Sequence, residues 1–145
     1  MKWKQFVEEC DVTYAPLHQL LGNRDSKMYL SAKLQEEKGE VSGAVAKFLS
    51  GNYDHDELER RLKEEAGDTL WVLAMLDKYH NISPIALRHK RVESYTTCSM
   101  IADIVYYGIS AVFKYFDHSE IMVDAIKKIR KRQAEGTVYG KGVNR

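Results

Sequence analysis

Two glutamates stand where hydrophobic side chains are expected, and each is followed three residues later by another acid. An apolar stripe runs through Leu30, Leu34, Val41, Ala44/Val45 and Phe48 in steps of three and four, and Glu37 fills its one gap. Glu40 lies three residues on, so both carboxylates project from one side of one predicted helix. A second stripe, Leu58, Leu62, Val72 and Leu76, is interrupted at Glu65 and Thr69, and Asp68 again follows its glutamate by three. An ionised carboxylate facing a core without a partner is costly, and takes up a proton if nothing else compensates it. Two such pairs call for cations. Hard oxygen donors clustered in this way suit Mg²⁺ or Mn²⁺ far better than zinc. The alternative is that Glu37 and Glu65 pair with Lys or Arg, or lie at the edge of a bundle.

The elements that must position these acids read as helices throughout, and no segment alternates strictly enough for a strand. A first helix is predicted over 2–13, with Trp3, Phe6, Val7 and Cys10 on one face, before a break at Pro16 and Gly22-Asn23. Ser26 is the predicted cap of a long second helix ending near Leu49, where Gly51-Asn52 stop it. Asp56 is the predicted cap of a third helix over 57–78. Ser83-Pro84 reads as a cap followed by proline at the first helical position, opening a helical stretch over 84–116 with an interruption near 94–97. After Asp117-His118-Ser119 a last helix is expected over 120–134. The expected fold is all-α: one compact bundle of five to six helices over 1–135, with an extra helical segment around 85–119 and a Gly-rich tail over 136–145.

Charge and composition narrow the function classes. The 145 residues carry 22 Lys+Arg against 21 Asp+Glu, both signs interspersed, which argues against a nucleic-acid footprint. Cys10 and Cys98 form neither a disulfide framework nor a zinc motif. The opening segment lacks the pattern of a signal peptide, and the most apolar run, Ile104 to Phe113, is far short of the ~20 residues that span a bilayer. A cytoplasmic location without membrane contact is therefore expected. Leu70, Trp71, Ala74 and Met75 make the third helix apolar nearly all round, which leaves it a further side to bury.

QEEKGEV (35–41) followed by KEEAGDTLW (63–71) resembles the ExxE…ExxD signature of the MazG-like family of all-α nucleoside triphosphate pyrophosphohydrolases. The closing segment KKIRKRQAEGTVYGKGVNR is similar to the basic, Gly-rich end of one subgroup of that family. The resemblance implies metal-binding roles for Glu37, Glu40, Glu65 and Asp68, with Mg²⁺ or Mn²⁺ as the ion. It implies phosphate contacts from Lys128 and Arg132. With the apolar third helix, the habit of that family leads to the expectation of a homodimer or a homotetramer. The implied reaction is hydrolysis of a nucleoside triphosphate to monophosphate and pyrophosphate. One carboxylate would activate the water, Glu40 first and Glu36 in reserve. Two departures stand out: Ala125 replaces the family's usual Asn, and roughly 35 extra residues (about 85–119) precede the last helix. A base-selective enzyme of dUTPase or dCTPase type, and a non-catalytic helical protein with a decayed site, are the competing readings.

Other signals carry less. Gly140-Lys141-Gly142 follows no strand and is not a P-loop. His18, His55, His80, His89 and His118 show no metal-ligand spacing and are expected in surface or capping roles. Trp3, Trp71, Tyr106 and Tyr107 are expected in the core, with stacking on a base as the alternative. The stretch 67–76 resembles 102–111, which sets Asp103 against Asp68 at an offset of 35, but Met100 replaces the preceding glutamate. Asp103 is expected to cap, to pair with Lys or Arg, or to sit at a pocket edge, and the apolar residues between 101 and 116 are expected to pack into the bundle.

Overall fold

The computed structural model describes residues 1–136, so expectations for the rest of the tail lie outside the described residues. Four α-helices and two short 3₁₀ turns account for nearly all of that chain, with no strand among the described residues. Helix α1 spans Trp3–Leu49, α2 His55–His80, α3 Thr97–Tyr107 and α4 His118–Glu135. The all-α expectation holds, and several of the expected boundaries do not.

Helix α1 is two helices joined at a kink. Gly22 has φ +80° and ψ 171°, a conformation that side-chain-bearing residues rarely adopt, and it turns the chain where Gly22-Asn23 predicted a break. Pro16 does not end the first half, contrary to expectation. Proline removes one backbone hydrogen bond, to the carbonyl four residues back, and here both Pro16 and Val12 face water, which can take the orphaned acceptor. Phe6 and Cys10 are fully buried, with Trp3 and Val7 packed against the same core.

Ser26 is not a helix cap. Its side chain is completely buried just past the kink, where its hydroxyl meets Tyr14 Oη at 2.6 Å, His18 Nδ1 at 2.8 Å and His80 Nε2 at 3.2 Å. One donor and two acceptor positions on that oxygen match three partners, so the hydroxyl is saturated. The contact pins both halves of α1 to the end of α2, and the His18 ring stacks on Tyr79 at 3.9 Å. His18 and His80 are thus partly buried joint residues instead of the expected surface ones. His80 is the last residue of α2, directly before Asn81, which takes the left-handed conformation.

Helix α2 starts earlier than predicted because Asp54, not Asp56, is its cap, its carboxylate accepting from the Glu57 amide at 2.8 Å. The helical stretch expected over 84–116 is interrupted near 94–97 as expected, but most of its first part is not helical. Ser83 caps nothing, a single 3₁₀ turn occupies Ile85–Arg88, and α3 begins only at a capping box between Thr96 and Ser99. Gly108, at φ +79°, then turns the chain into a second 3₁₀ turn, Ile109–Lys114. That break lets Ile101, Ile104, Ile109, Val112, Phe113 and Phe116 all reach the core, as expected of the extra segment, although Val105 remains 68% exposed. Tyr106 and Tyr107 are also exposed, against expectation, because α3 buries only the stripe Met100, Ile101 and Ile104. Helix α4 starts at His118 on an Asp117 cap, close to its predicted position.

The joint carries a pH prediction. Burial, followed by the charges of His18 and Lys27, holds the His80 imidazole below its ordinary range. Its neutral form is the one the fold accommodates, so its contribution to stability is present above the unfolded pKa of ~6.5 and is lost as pH falls through the lower folded value. His80→Gln is expected to lose less melting temperature than the wild type between pH 7 and pH 5. Parallel melting curves across that interval would contradict the role given to His80.

Candidate metal centre

Helices α1 and α2 pack against each other along the two interrupted stripes, with Leu30, Val41, Ala44, Val45, Leu58, Leu62, Val72 and Leu76 buried. The gaps in the stripes are therefore inside the interface. Glu37 is 5% exposed and Glu65 4%, and Thr69 beside them is buried with its hydroxyl returned to the Glu65 carbonyl at 2.8 Å. Carboxylate oxygens of Glu37, Glu65 and Asp68 all lie within 4.8 Å of one another. One oxygen of Glu37 and one of Glu65, both Oε2, are buried without any hydrogen-bond partner.

Cations are near, and they are distributed unevenly. Lys33 sits 3.0 Å from Glu36 and 3.8 Å from Glu37, so it serves mainly the exposed acid. Lys128, on α4, donates to both oxygens of Asp68 at 2.8 Å and to Glu64 Oε1 at 3.2 Å. The surroundings of Glu65 are acidic: burial first, then hydrogen bonds with Glu37 and Glu40 and the charges of Asp68 and Glu40, push its carboxyl up to about 9. Burial likewise raises Glu37 and, against the opposing pull of Lys128, Asp68. The pairing alternative raised for Glu37 and Glu65 is met at Glu37 by Lys33 alone, and among the described residues Glu65 has no cation, while Asp68 is paired with Lys128. Two orphaned oxygens among converging carboxylates form a donor set that could hold a hard divalent cation, and oxygen donors of this kind would suit Mg²⁺ or Mn²⁺.

Not every residue singled out from the sequence meets this cluster. Glu40 is exposed at its rim, within hydrogen-bonding reach of Glu65. Glu36 is exposed and held by Lys33, one position around the helix from Glu37. Arg132 is exposed on α4, one turn beyond Lys128, and its charge acts on Asp68. Asp103 is absent from the cluster: it pairs with Lys114 at 3.4 Å and accepts from the Tyr115 hydroxyl at 2.6 Å, one of the roles expected of it. Glu64 was not legible as a site residue. Its partner Lys128 is 64 positions away, and no local spacing announces such a pair.

Asp68 and Lys128 open into a cleft of about 210 Å³ between α2 and α4, whose wall includes Arg60, Lys63, Gly67 and Ala125. The approach of the two helices depends on the last two. A methyl group on Gly67 would stand 3.2 Å from the Ala125 Cβ, and Ala125 is itself buried. The small side chain at 125, unusual against the pattern that the sequence resembles, packs against Gly67 and lines the cleft. No protein-family model, curated protein or solved structure matches this chain.

Two predictions follow from packing and charge. Gly67→Val should wedge α2 from α4 and cost about 1–3 kcal/mol in chemical denaturation. Stability equal to the wild type would show that the close approach is dispensable. For Glu65, a folded pKa raised above the unfolded one means that its stabilising effect is complete at low pH and is lost as pH rises towards about 9. In EDTA, Glu65→Gln should therefore melt higher than the wild type at pH 9, with the gap closing by pH 5. An unchanged gap would exclude Glu65 as the group that titrates.

Proposed function

We propose that the chain is a Mg²⁺-dependent nucleoside triphosphate pyrophosphohydrolase, converting an NTP or dNTP and water to the monophosphate and pyrophosphate. The observation that carries this reading is the pair of buried, partnerless oxygens of Glu37 and Glu65 facing Asp68. The resemblance of 35–41 and 63–71 to the MazG-like signature supplies the reaction. Glu37, Glu65 and Asp68 would hold the ion, Glu40 completing the set from the rim. When bound, Mg²⁺ or Mn²⁺ offsets the triphosphate charge and lowers the pKa of a water.

The chain's own residues have distinct tasks in this reading. Glu40, exposed and close enough to act on Glu65, would orient the attacking water and accept its proton. Glu36 is the reserve for that task, and its contact with Lys33 makes it the weaker candidate. Lys128 and Arg132 lie one turn apart on α4, where they would steady the departing pyrophosphate by charge-assisted hydrogen bonds. Attack at the α-phosphorus breaks its bond to the bridging oxygen, and the pyrophosphate leaves with that oxygen.

The reading carries two further expectations. A cytoplasmic site of action suits a nucleotide substrate, and no helix among the described residues is long and apolar enough to cross a membrane. Self-association as a homodimer or homotetramer rests on different residues than the sequence suggested. Leu70, Ala74 and Met75 are fully buried within one chain, whereas Val12, Leu20 and Met28 of α1 and Val105, Tyr106 and Tyr107 of α3 face water. Light scattering should give a multiple of 16.7 kDa at micromolar concentration. A monomer mass would remove this part of the proposal.

The activity is tested by pyrophosphate release from a panel of nucleotides with and without Mg²⁺. Glu37→Gln, Glu40→Gln, Glu65→Gln and Asp68→Asn should each lose nearly all turnover while remaining folded. Retention of more than about a tenth of wild-type turnover by any two would overturn the assignment, since a tenth is only ~1.4 kcal/mol of barrier. Turnover confined to one pyrimidine deoxynucleotide would favour the base-selective reading. Silence across the panel in a folded protein would favour the non-catalytic one.

A further inference from the structure

Lys128 is bound to one of the three acids that a divalent cation in the cluster would use. Its ammonium has three hydrogens, and three carboxylate oxygens take them: both of Asp68 at 2.8 Å and one of Glu64 at 3.2 Å. Both Lys128 and Asp68 are largely shielded, with side-chain exposures of 23% and 27%. Charges this close in partly excluded solvent interact far more strongly than in bulk water. Asp68 is also the member of the acidic cluster that opens into the α2–α4 cleft, and Lys128 lines the same cleft. One residue thus neutralises a cluster oxygen donor and faces the space in which an anion would lie.

We propose that Lys128 is an exchangeable counter-cation, holding Asp68 while the cluster is without a divalent ion and giving way when one enters. This deepens the reading of the cluster as a metal site and rests on it. Like charges converging on one carboxylate repel, so the incoming ion must overcome the ammonium. Glu64, itself held by Arg60 at 3.1 Å, is the second anchor on which the displaced ammonium can remain. From there its freed hydrogens are available to an anionic group in the cleft. Lys128 therefore weakens ion binding by the unliganded protein, and ties occupancy of the cluster to the readiness of a phosphate contact.

The test is Mn²⁺ binding followed by the loss of the free-ion electron paramagnetic resonance signal, with no nucleotide present. Lys128→Met keeps an unbranched side chain of nearly the same length and removes the charge, and should bind Mn²⁺ about tenfold or more tightly than the wild type, given the strength of a shielded charge pair. Lys128→Arg restores the charge and should return the affinity to near the wild-type value. Equal or weaker binding by Lys128→Met, in a wild type that does bind Mn²⁺, would overturn the exchange while leaving the metal site standing. Absence of Mn²⁺ binding in both would overturn the metal reading itself, and the exchange with it. Should Lys128→Met fail to fold, side-chain NMR of isotopically labelled lysine in the wild type gives the answer. The resonance assigned to Lys128 by its absence from Lys128→Arg should shift on Mg²⁺ addition, and a resonance unmoved by saturating Mg²⁺ would overturn the proposal.

Discussion

The candidate site depends on two glutamates buried face to face between α1 and α2. Hydrophobic burial draws the two helices together along their stripes, and at Glu37 and Glu65 that same packing removes water from carboxyl groups. A pair of apolar side chains would fill these positions without any electrostatic cost, and replacing buried ionic groups by apolar ones often stabilises a protein. What the acids provide instead is a set of oxygens held rigid by two long helices, with two of those oxygens unsatisfied. Protonation relieves the cost in one way and a cation in another. The two solutions compete, which is why the same residues make both the stability and any ion affinity depend on pH.

The remaining features of the fold keep this geometry in place. The kink at Gly22 brings the first half of α1 back over the bundle, and the saturated hydroxyl of Ser26 joins both halves to the end of α2. At the other side of α2, Gly67 and Ala125 remove side-chain bulk so that α4 comes near enough for Lys128 to reach Asp68. The extra segment between α2 and α4 adds core instead of a loose loop, with Val92 donating its backbone hydrogen bond to the Lys114 carbonyl at 2.7 Å. Asp103, the polar exception there, is satisfied locally by Lys114 and Tyr115.

The parts legible in the sequence are those with a helical period. Glu37 and Glu65 were recognisable as buried acids because each interrupts a run of residues that share one face, and the structure buries both. The acid three residues on could be placed on the same side, yet only Asp68 joins the close cluster while Glu40 stays at the rim. What has no period was not legible. Asp68 and Ser26 each draw a partner from another helix, so Lys128–Asp68 and His80–Ser26 have no local signature. Boundaries failed where two readings of the same residue compete. Asp54 and Asp56 are both good caps, Pro16 ends a helix only when the lost hydrogen bond cannot be replaced, and Gly108 outweighs the apolar pattern around it.

Ion ligation is the role proposed for the buried acids, a claim about one place in space. It is tested most directly by growing crystals in Mn²⁺ and recording anomalous diffraction. The account predicts a single strong peak between Glu37, Glu65 and Asp68, with carboxylate oxygens about 2.0–2.2 Å away, near the range of Mg²⁺–oxygen contacts. Anomalous density elsewhere on the chain, or an empty cluster with Lys128 still on Asp68 at saturating Mn²⁺, would contradict it.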